Sequence, residues 1–528
     1  MIDQAGAHTF GDVLRANAAA RPDKAAFEML DGEAVNFGDL NRRVNALNNA
    51  FAELGACKGA RVALLAKNRL EYVEVYGLSK SGLIVVPLNW RLAPGELVNL
   101  IRHSAPEVLV VDEHHRLLAE SIRNQIPSVK HFVLIGGTAG GWQGYEDLIQ
   151  RASDAEPVSQ ALPDDVLCLI YTSGTTGAPK GVAMTHAGVM GNCAAAAQEL
   201  KLTDADITMA VMPLFHAGGM WYHLFPSFAS GTTSLLLSDF DPATILRELQ
   251  VRRITNVHLA PTMIAALLSN PSAASADLGS VRVLFYAASS MPPELLRRAM
   301  QTFPRCGFVQ GYGSTEAGVV TILRADAHRR AMEPGGEYLL ASCGLPYPGR
   351  LVRVVDDAGV ELPQGEVGEV EVHSPDLMQG YWLDDQATVR ALHGKWLKTG
   401  DLGRLDLQGF LYIVDRKNDM VVTGGENVFP TEVESYLYRD QDVEEAAVFG
   451  IPDPAWVERV VAAVVLRPGS TATGEELVRR LRTQLAGYKC PKEIFVVNHL
   501  PKSAVGKVLR KELRRRFGEE PQKERGAQ

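Results

Sequence analysis

Cysteine is scarce in this chain of 528 residues: six, at Cys57, Cys168, Cys193, Cys306, Cys343 and Cys490, scattered and without a CxxC pair. That spacing excludes a disulfide framework and a zinc ribbon, and the thiols read as reduced. Long apolar runs are missing as well, none approaching the roughly 20 residues of a membrane helix. The opening MIDQAGAHTFGDVL carries neither a basic leader nor an apolar stretch, so no integral membrane segment and a cytoplasmic location are expected. Nor is there an excess of basic charge. With 53 Lys and Arg against 62 Asp and Glu the formal net charge is −9, which argues against nucleic acid as the partner. The Lys- and Arg-rich tail from Lys502 to Arg525 reads as a solvated helix face followed by a frayed end.

What is present belongs to an ordinary globular enzyme, 46% hydrophobic and 22% charged, too long for a single core. From Arg61 onward short apolar runs alternate with amphipathic stretches: RVALLA, then LEYVEVYGLSKSG, IVVPLN, a helix from Pro94 to Arg102, and EVLVVD. The alternation resumes in TTSLLL, PATILRELQVR, TNVHLAP, VRVLFYA and PPELLRRAM. This is βαβα punctuation, an α/β fold of two parallel sheets clothed in helices, with ligands at the carboxyl ends of the strands. Between about Gly344 and Leu411 short strands and glycine turns take over, the texture of a small antiparallel, barrel-like subdomain. After Arg416 follows an α+β stretch with strands EEAAVFGI, VVAAVVL and EIFVVN and helices at Pro430 to Tyr438 and Glu475 to Leu485.

One segment carries chemistry on its face. Tyr171 to Val182 reads YTSGTTGAPKGV, directly after the strand-like run Val166 to Ile170. Glycines let the backbone turn its N–H groups into an anion nest, Ser173, Thr175 and Thr176 add hydroxyl donors, and Lys180 adds a mobile positive charge. A Walker A loop it is not, because Gly181 stands where that motif needs Ser or Thr for magnesium.

The loop resembles the phosphate loop of the acyl-adenylate-forming superfamily: acyl- and aryl-CoA synthetases, adenylation domains of nonribosomal peptide synthetases, and luciferases. Further signatures follow in the family's order, MPLFHAGG at Met212 to Gly219, QGYGSTEAG at Gln310 to Gly318, WLKTGDLG at Trp396 to Gly403, DRKNDMVVTGGENVFPTEVE at Asp415 to Glu434, and PKSAVGKVLR at Pro501 to Arg510. The resemblance spans nearly the whole chain. It implies a large N-terminal domain, residues 1–415, binding ATP and the acid, and a mobile C-terminal domain, residues 416–528, swinging about a hinge near Asp415 to Asn418. Asn418 stands where the family usually has Asp or Lys.

The resemblance also assigns roles. Thr172, Ser173, Gly174, Thr175, Thr176, Gly177 and Lys180 would cradle the β- and γ-phosphates, and Glu316 would bind Mg2+, with Thr175 or Thr315 on phosphate oxygens beside it. Gly311, Tyr312, Gly313 and Ser314, facing Ala288 and Ser289, would form the adenine slot. Asp401 would accept from the ribose hydroxyls, and Arg416 would donate to the sugar or the α-phosphate; an interdomain salt bridge between these two is the plainer reading. Lys507 would bridge the acid's carboxylate and the α-phosphate. Gly424, Gly425, Glu426 and Asn427 would face the thiol arm of coenzyme A once the domain has rotated.

His216 resembles the family's gate beside the acyl pocket. The motif around it lacks the aspartate that amino-acid-activating relatives use for an α-amine. Met220, Trp221, Tyr222 and Tyr286 are large and mostly apolar, which suggests a fatty or aromatic tail. The leading expectation is an ATP-dependent acid:CoA ligase using Mg2+ and a small carboxylic acid, with room for a homodimer. Loading of a separate carrier protein, an oxygenase of luciferase type, and a non-catalytic acyl-nucleotide binder stay open as alternatives.

Overall fold

The computed structural model of the chain describes residues 8–157, 161–172, 180–287, 291–417, 419–423, 426–453, 456–503 and 507–518. The chain divides into two compact units, Met1–Val352 with Val372–Leu397, and Arg353–Glu371 with Lys398–Gln528. By compactness the last boundary falls before residue 398, ahead of the 415/416 border expected from sequence. The reason is local: Asp401 and Arg416 face each other across the antiparallel strands Trp396–Leu405 and Leu411–Arg416.

In the first unit, two sheets hold the core. One has eight strands in the order Gly380–Tyr381, Lys180–Thr185, Val166–Thr172, Ile84–Pro87, Arg61–Leu65, Val108–Asp112, His131–Ile135 and Gln143–Gly144. Its middle strands run parallel, and Ile84–Pro87 and Val108–Asp112 are buried at every residue. Both faces are therefore covered, which is why these strands read as unbroken apolar runs. Helices Leu70–Gly77 and Pro94–Ser104 cross between them where the periodicity predicts.

The other sheet has nine strands in the order Leu345–Pro346, Gly318–Leu323, Gly307–Ser314, Val283–Tyr286, Asn256–Leu259, Ile207–Ala210, Thr233–Leu236, Ala25–Met29 and Ala34–Asn36. Its centre is parallel, and the pairing turns antiparallel at Gly307–Ser314 with Gly318–Leu323 and at Ala25–Met29 with Ala34–Asn36. Helix Pro242–Val251 starts as its sequence dictates, proline in the first turn and the Asp241 carboxylate accepting from the Thr244 N–H at 2.8 Å.

Of the strand-and-turn texture from Gly344 to Leu411, Leu345–Pro346 and Gly380–Tyr381 join the two large sheets, and the rest forms a five-stranded sheet of Leu351–Val355, Gly368–His373, Trp396–Leu405, Leu392–His393 and Leu411–Arg416. In the second unit a further sheet runs Glu426–Val428, Val421–Thr423, Val457–Leu466, Val443–Asp453, with Glu493–Val496 added beside Val457–Leu466. Helices Pro430–Leu437 and Gly474–Leu481 lie where expected, the latter opened by a capping box between Thr473 and Glu476. The basic helix Arg510–Gly518 is more than a solvated face, for it buries Leu513 completely against Phe449, Ile451 and Leu500. Among the described residues no helix is long and apolar enough to cross a membrane.

Candidate active site

The phosphate segment is a hairpin whose strands, Val166–Thr172 and Lys180–Thr185, pair Thr172 with Lys180. Ser173, Gly174, Thr175, Thr176 and Gly177, expected around the phosphates, lie outside the described residues, as do Ala288, Ser289, Asn418, Gly424 and Gly425. Lys180 is well placed. Its ammonium sits 4.6 Å from the centre of the Tyr381 ring. The hydroxyl of the same tyrosine donates to Glu316 Oε1 at 3.1 Å. One aromatic side chain thus joins the phosphate-loop lysine to the glutamate of GYGSTE.

The backbone around Tyr381 acts as a clamp. Trp382 N–H donates to Gly181 O at 2.7 Å and Met378 N–H to Glu316 O at 2.8 Å, tying residues 378–382 to both motifs. Burial, helped by the Glu316 charge, raises the Tyr381 phenol well above its usual range, so it stays a neutral donor at every physiological pH. The sequence reading missed Tyr381. Its only signal is the aromatic pair after glycine in QGYW, in a stretch read as part of the small subdomain.

Glu316 lies in the tight turn that joins Gly307–Ser314 to Gly318–Leu323, with Tyr312 opposite Thr321 and an irregularity before Gly313. A side chain at Gly313 would strike the carbonyl of Gly318, and one at Gly311 would meet the Phe285 ring at 2.6 Å. Both glycines are therefore required by close approach. Ser314 Oγ accepts from Ala317 N–H at 3.2 Å, and Ser314 O accepts from the Tyr222 hydroxyl at 2.8 Å. Thr315 is buried and Tyr312 half-buried.

His216 caps the short helix Ala217–Gly219, its Nδ1 accepting from Gly218 N–H at 3.1 Å. Burial lowers its pKa to about 4, so the ring is neutral at pH 7 and carries its proton on Nε2. Met220 and Trp221 follow in a π-helical turn, Met220–Leu224, both buried. Tyr286, expected beside them, is committed elsewhere. Its hydroxyl is shared with Gln310 Oε1 at 3.3 Å and His328 Nε2 at 2.8 Å. Strand alternation turns it to the face opposite Phe285, which explains why it does not join the residues gathered near Gly311.

The second unit gathers the remaining charges. Across the strand pair, Arg416 Nε lies 3.0 Å from Asp401 Oδ1, so the salt bridge foreseen between domains forms within one unit. Asp401 is 6% exposed, and its N–H donates to Thr399 Oγ1 at 3.1 Å. Lys507 shares this neighbourhood although it lies about a hundred residues on. Burial first, then the nearby Arg416 charge, lowers its ammonium to about 8 against the pull of Asp401 and Asp419.

The loop bearing Lys507 is pinned at both ends. Lys507 N–H donates to Ser503 Oγ at 3.1 Å, and Ser503 N–H to Lys507 O at 2.7 Å. Three residues on, Arg510 donates to Glu434 Oε1 at 2.6 Å and to Val448 O at 3.0 Å, while Arg514 reaches Asp419 Oδ1 at 3.1 Å. Asp415 accepts from Arg416 N–H at 2.7 Å and from Thr431 N–H at 2.9 Å. These partners of the loop were not foreseen; Arg510 stands inside the quoted KVLR, but its carboxylate partner is 76 residues away. Glu426 and Asn427 are exposed on the short strand Glu426–Val428.

A lysine-bearing phosphate hairpin beside a carboxylate in one unit, and a carboxylate, a guanidinium and a buried ammonium in the other, make the equipment of a nucleotide-activating enzyme. Residues 14–382 match the AMP-binding enzyme family and residues 432–507 the AMP-binding enzyme C-terminal domain, and the chain belongs to this family. A feruloyl-CoA synthase of an Amycolatopsis species is 37% identical over 491 residues, covering 92% of this chain and 95% of that one. A fatty acid–[acyl-carrier-protein] ligase of Streptomyces coeruleorubidus is 33% identical over 494 residues, 93% of each. Among solved structures, an anthranilate CoA ligase in complex with anthranoyl-AMP matches with a TM-score of 0.87 at 30% identity, over 96% of this chain and 97% of that one.

Proposed function

We propose that this protein is an ATP-dependent acid:CoA ligase, acting on a hydrophobic carboxylic acid, fatty or aromatic. The observation that carries the proposal is the gathering of Lys507 with Asp401 and Arg416, an ammonium from about a hundred residues further on beside an ion pair on adjacent strands. In the first half-reaction a carboxylate oxygen of the acid forms a bond to the α-phosphorus of ATP while the bond to the β-phosphate breaks, giving an acyl adenylate and pyrophosphate. Two anions must meet for this. Lys507, as the ammonium, would touch both and lower their repulsion. Asp401 would hold the ribose and Arg416 the sugar or α-phosphate, with Lys180 and the loop before it on the departing phosphates. Tyr312 would stack on the adenine, and His216, neutral, would close the acyl pocket.

Glu316 would hold magnesium, which when bound supplies positive charge to the phosphate oxygens. The residues fit: one carboxylate oxygen is engaged by Tyr381, leaving the other for a hard cation that keeps most of its waters. In the second half-reaction the sulfur of coenzyme A forms a bond to the acyl carbon, the carbon–oxygen bond to AMP breaks, and the thiol proton passes to solvent. Glu426 and Asn427, with the glycines before them, are proposed to face that thiol after the C-terminal stretch, residues 416–528, has swung about Asp415 to Asn418. Six cysteines, none of them in a disulfide, fit a reducing, cytoplasmic setting, and a homodimer is compatible with the reading.

A panel of fatty, aryl and cyclic acids with ATP and magnesium, scored for AMP with and without coenzyme A, tests the proposal. Acid-dependent AMP with a CoA thioester as product supports it; AMP without thioester would refute the CoA step. The carrier-protein ligase among the relatives favours one second reading, transfer to a pantetheinylated carrier, which the same assay detects by replacing coenzyme A with that carrier.

A further inference from the structure

The glutamate assigned to magnesium is held by more than its own hairpin. Arg350 and Asp376, 6% and 3% exposed, form a buried ion pair in the unit that carries Glu316, and the proposed chemistry uses neither. Arg350 Nη2 donates to Asp376 Oδ2. Its Nη1 donates to Pro348 O at 2.7 Å, and the guanidinium lies 4.9 Å from the centre of the Tyr347 ring. Asp376 N–H donates to Ser374 Oγ at 3.0 Å, which fixes the turn bearing the carboxylate.

Both partners lead to Glu316 by short paths. On the arginine side, Arg350 N–H closes a turn on Tyr347 O at 2.9 Å, and Tyr347 N–H donates to Val320 O at 2.9 Å, in the strand Gly318–Leu323 that follows Glu316. On the aspartate side, the next residue but one is Met378, whose N–H donates to Glu316 O at 2.8 Å. The ion pair therefore closes a ring: Glu316, the strand after it, Tyr347, Arg350, Asp376, Met378 and back to Glu316.

Helix His186–Glu199 supports this ring. A Cβ on Gly191 would strike Asp376 Oδ1, so the carboxylate rests directly against the helix backbone. One residue on, Asn192 Oδ1 accepts from Val319 N–H at 3.1 Å, while its amide donates to Trp221 O at 3.0 Å. A single turn of helix thus meets the ring at two places, at Asp376 and at the strand after Glu316.

Stability alone is a poor reason for such a pair. A buried ion pair must offset the lost hydration of both charges, and apolar residues of similar volume commonly serve a fold as well or better. Here the offset is incomplete, since Arg350 Nε is buried without a hydrogen-bond partner among the described residues. What opposite charges add over an apolar contact is a fixed distance and direction. Glu316 needs both: one of its carboxylate oxygens is engaged by Tyr381, and the placement of the other depends on how its backbone is held.

Resting on the reading of Glu316 as the holder of magnesium, we propose that Arg350 and Asp376 are positioning residues for that glutamate. Their ion pair holds the Glu316 backbone so that the carboxylate oxygen not bonded to Tyr381 is presented to the magnesium of the ATP complex. Groups that orient a metal ligand set metal affinity by about 10–100-fold; acting one step further out, this pair is expected to set it by about fivefold or more.

The test is calorimetric titration of the whole enzyme with ATP, once with magnesium and once with EDTA, and the quantity read is the factor by which magnesium tightens ATP binding. Arg350→Met/Asp376→Leu removes both charges together, leaves neither buried alone, and should melt close to wild type. In it the magnesium factor is expected to fall by about fivefold or more, with the affinity in EDTA within about twofold of wild type. Should the double variant not fold, Arg350→Lys reads the same factor; it keeps the charge but not the planar fork that joins Pro348 O to Asp376, and should lower the factor by about threefold or more. A factor unchanged in the variant that folds overturns the positioning role and leaves the ligase reading standing, and equal weakening with and without magnesium overturns it as well, because it marks a structural role only. A selective loss of the magnesium factor in an enzyme that exchanges no pyrophosphate with any acid would support the ring and sink the ligase reading alone.

Discussion

Tyr381→Phe is the sharpest probe of the site, because it removes one hydroxyl and leaves the ring under Lys180. What is lost is the bond to Glu316 Oε1 at 3.1 Å. A hydrogen bond to a charged group contributes about 1.5–3 kcal/mol. That corresponds to roughly 10–100-fold in rate, the same span as losing a group that orients a metal-binding carboxylate. Tyr381 is half-buried, so the lower half of that range, about 10–30-fold, is expected. Tyr381→Leu should lose a further factor of about 2–5, since the ring contact with the Lys180 ammonium at 4.6 Å is worth about 0.5–1 kcal/mol near the surface. The assay is acid-dependent exchange of pyrophosphate into ATP, titrated with magnesium; the Phe variant should need more magnesium, and the extra loss in Leu should appear in the KM for ATP. In a Glu316→Gln background the Phe substitution should cost less than about threefold, because the partner through which it acts has lost its charge. Exchange by Tyr381→Phe within about twofold of wild type across the titration would refute the idea that this tyrosine organises the glutamate.

Lys507→Ala should lose at least roughly a hundredfold in adenylation, the scale of removing one preorganised charge partner, while preformed acyl adenylate is still converted to thioester. The ammonium is the working form and its pKa is lowered to about 8, so kcat/KM for adenylation should fall as pH rises through 8, and a flat profile to pH 9.5 would contradict the assignment. Asp401→Ala should weaken ATP binding measured by calorimetry, and it also leaves Arg416 without its partner across the strands; unchanged ATP affinity would remove the ribose role. Gly313→Ala should yield little folded protein on expression, since the new methyl strikes the Gly318 carbonyl; normal yield and thermal stability would mean the hairpin can open.

The parallel strands were legible because burial on both faces leaves an apolar run with no alternation, as in VLVVD, and the helices because proline or a capping side chain marks their starts. The edge strands were not. Gly380–Tyr381 is two residues long and exists because Val182 and Ala183, nearly 200 residues earlier, offer it partners. For the same reason Tyr381 could not be joined to Lys180 and Glu316 in advance. Charged site residues in repeating signatures were easier, and Asp401, Arg416 and Lys507 do come together. Apolar lining residues were harder: Phe285 and Tyr286 are neighbours in sequence, strand alternation sends them to opposite faces, and only the register with His258 shows which face lies under Gly218 and Gly311. The π-helical turn Met220–Leu224 fits no 3.6-residue period and was not legible in advance.

The central claim is that this chain joins an organic acid to the α-phosphorus of ATP before any thiol is involved. Pyrophosphate exchange into ATP, run without coenzyme A, measures that step alone. Exchange that appears only when a suitable acid is present is the predicted result; intact ATP and no exchange with fatty, aryl and hydroxyaryl acids alike would contradict it.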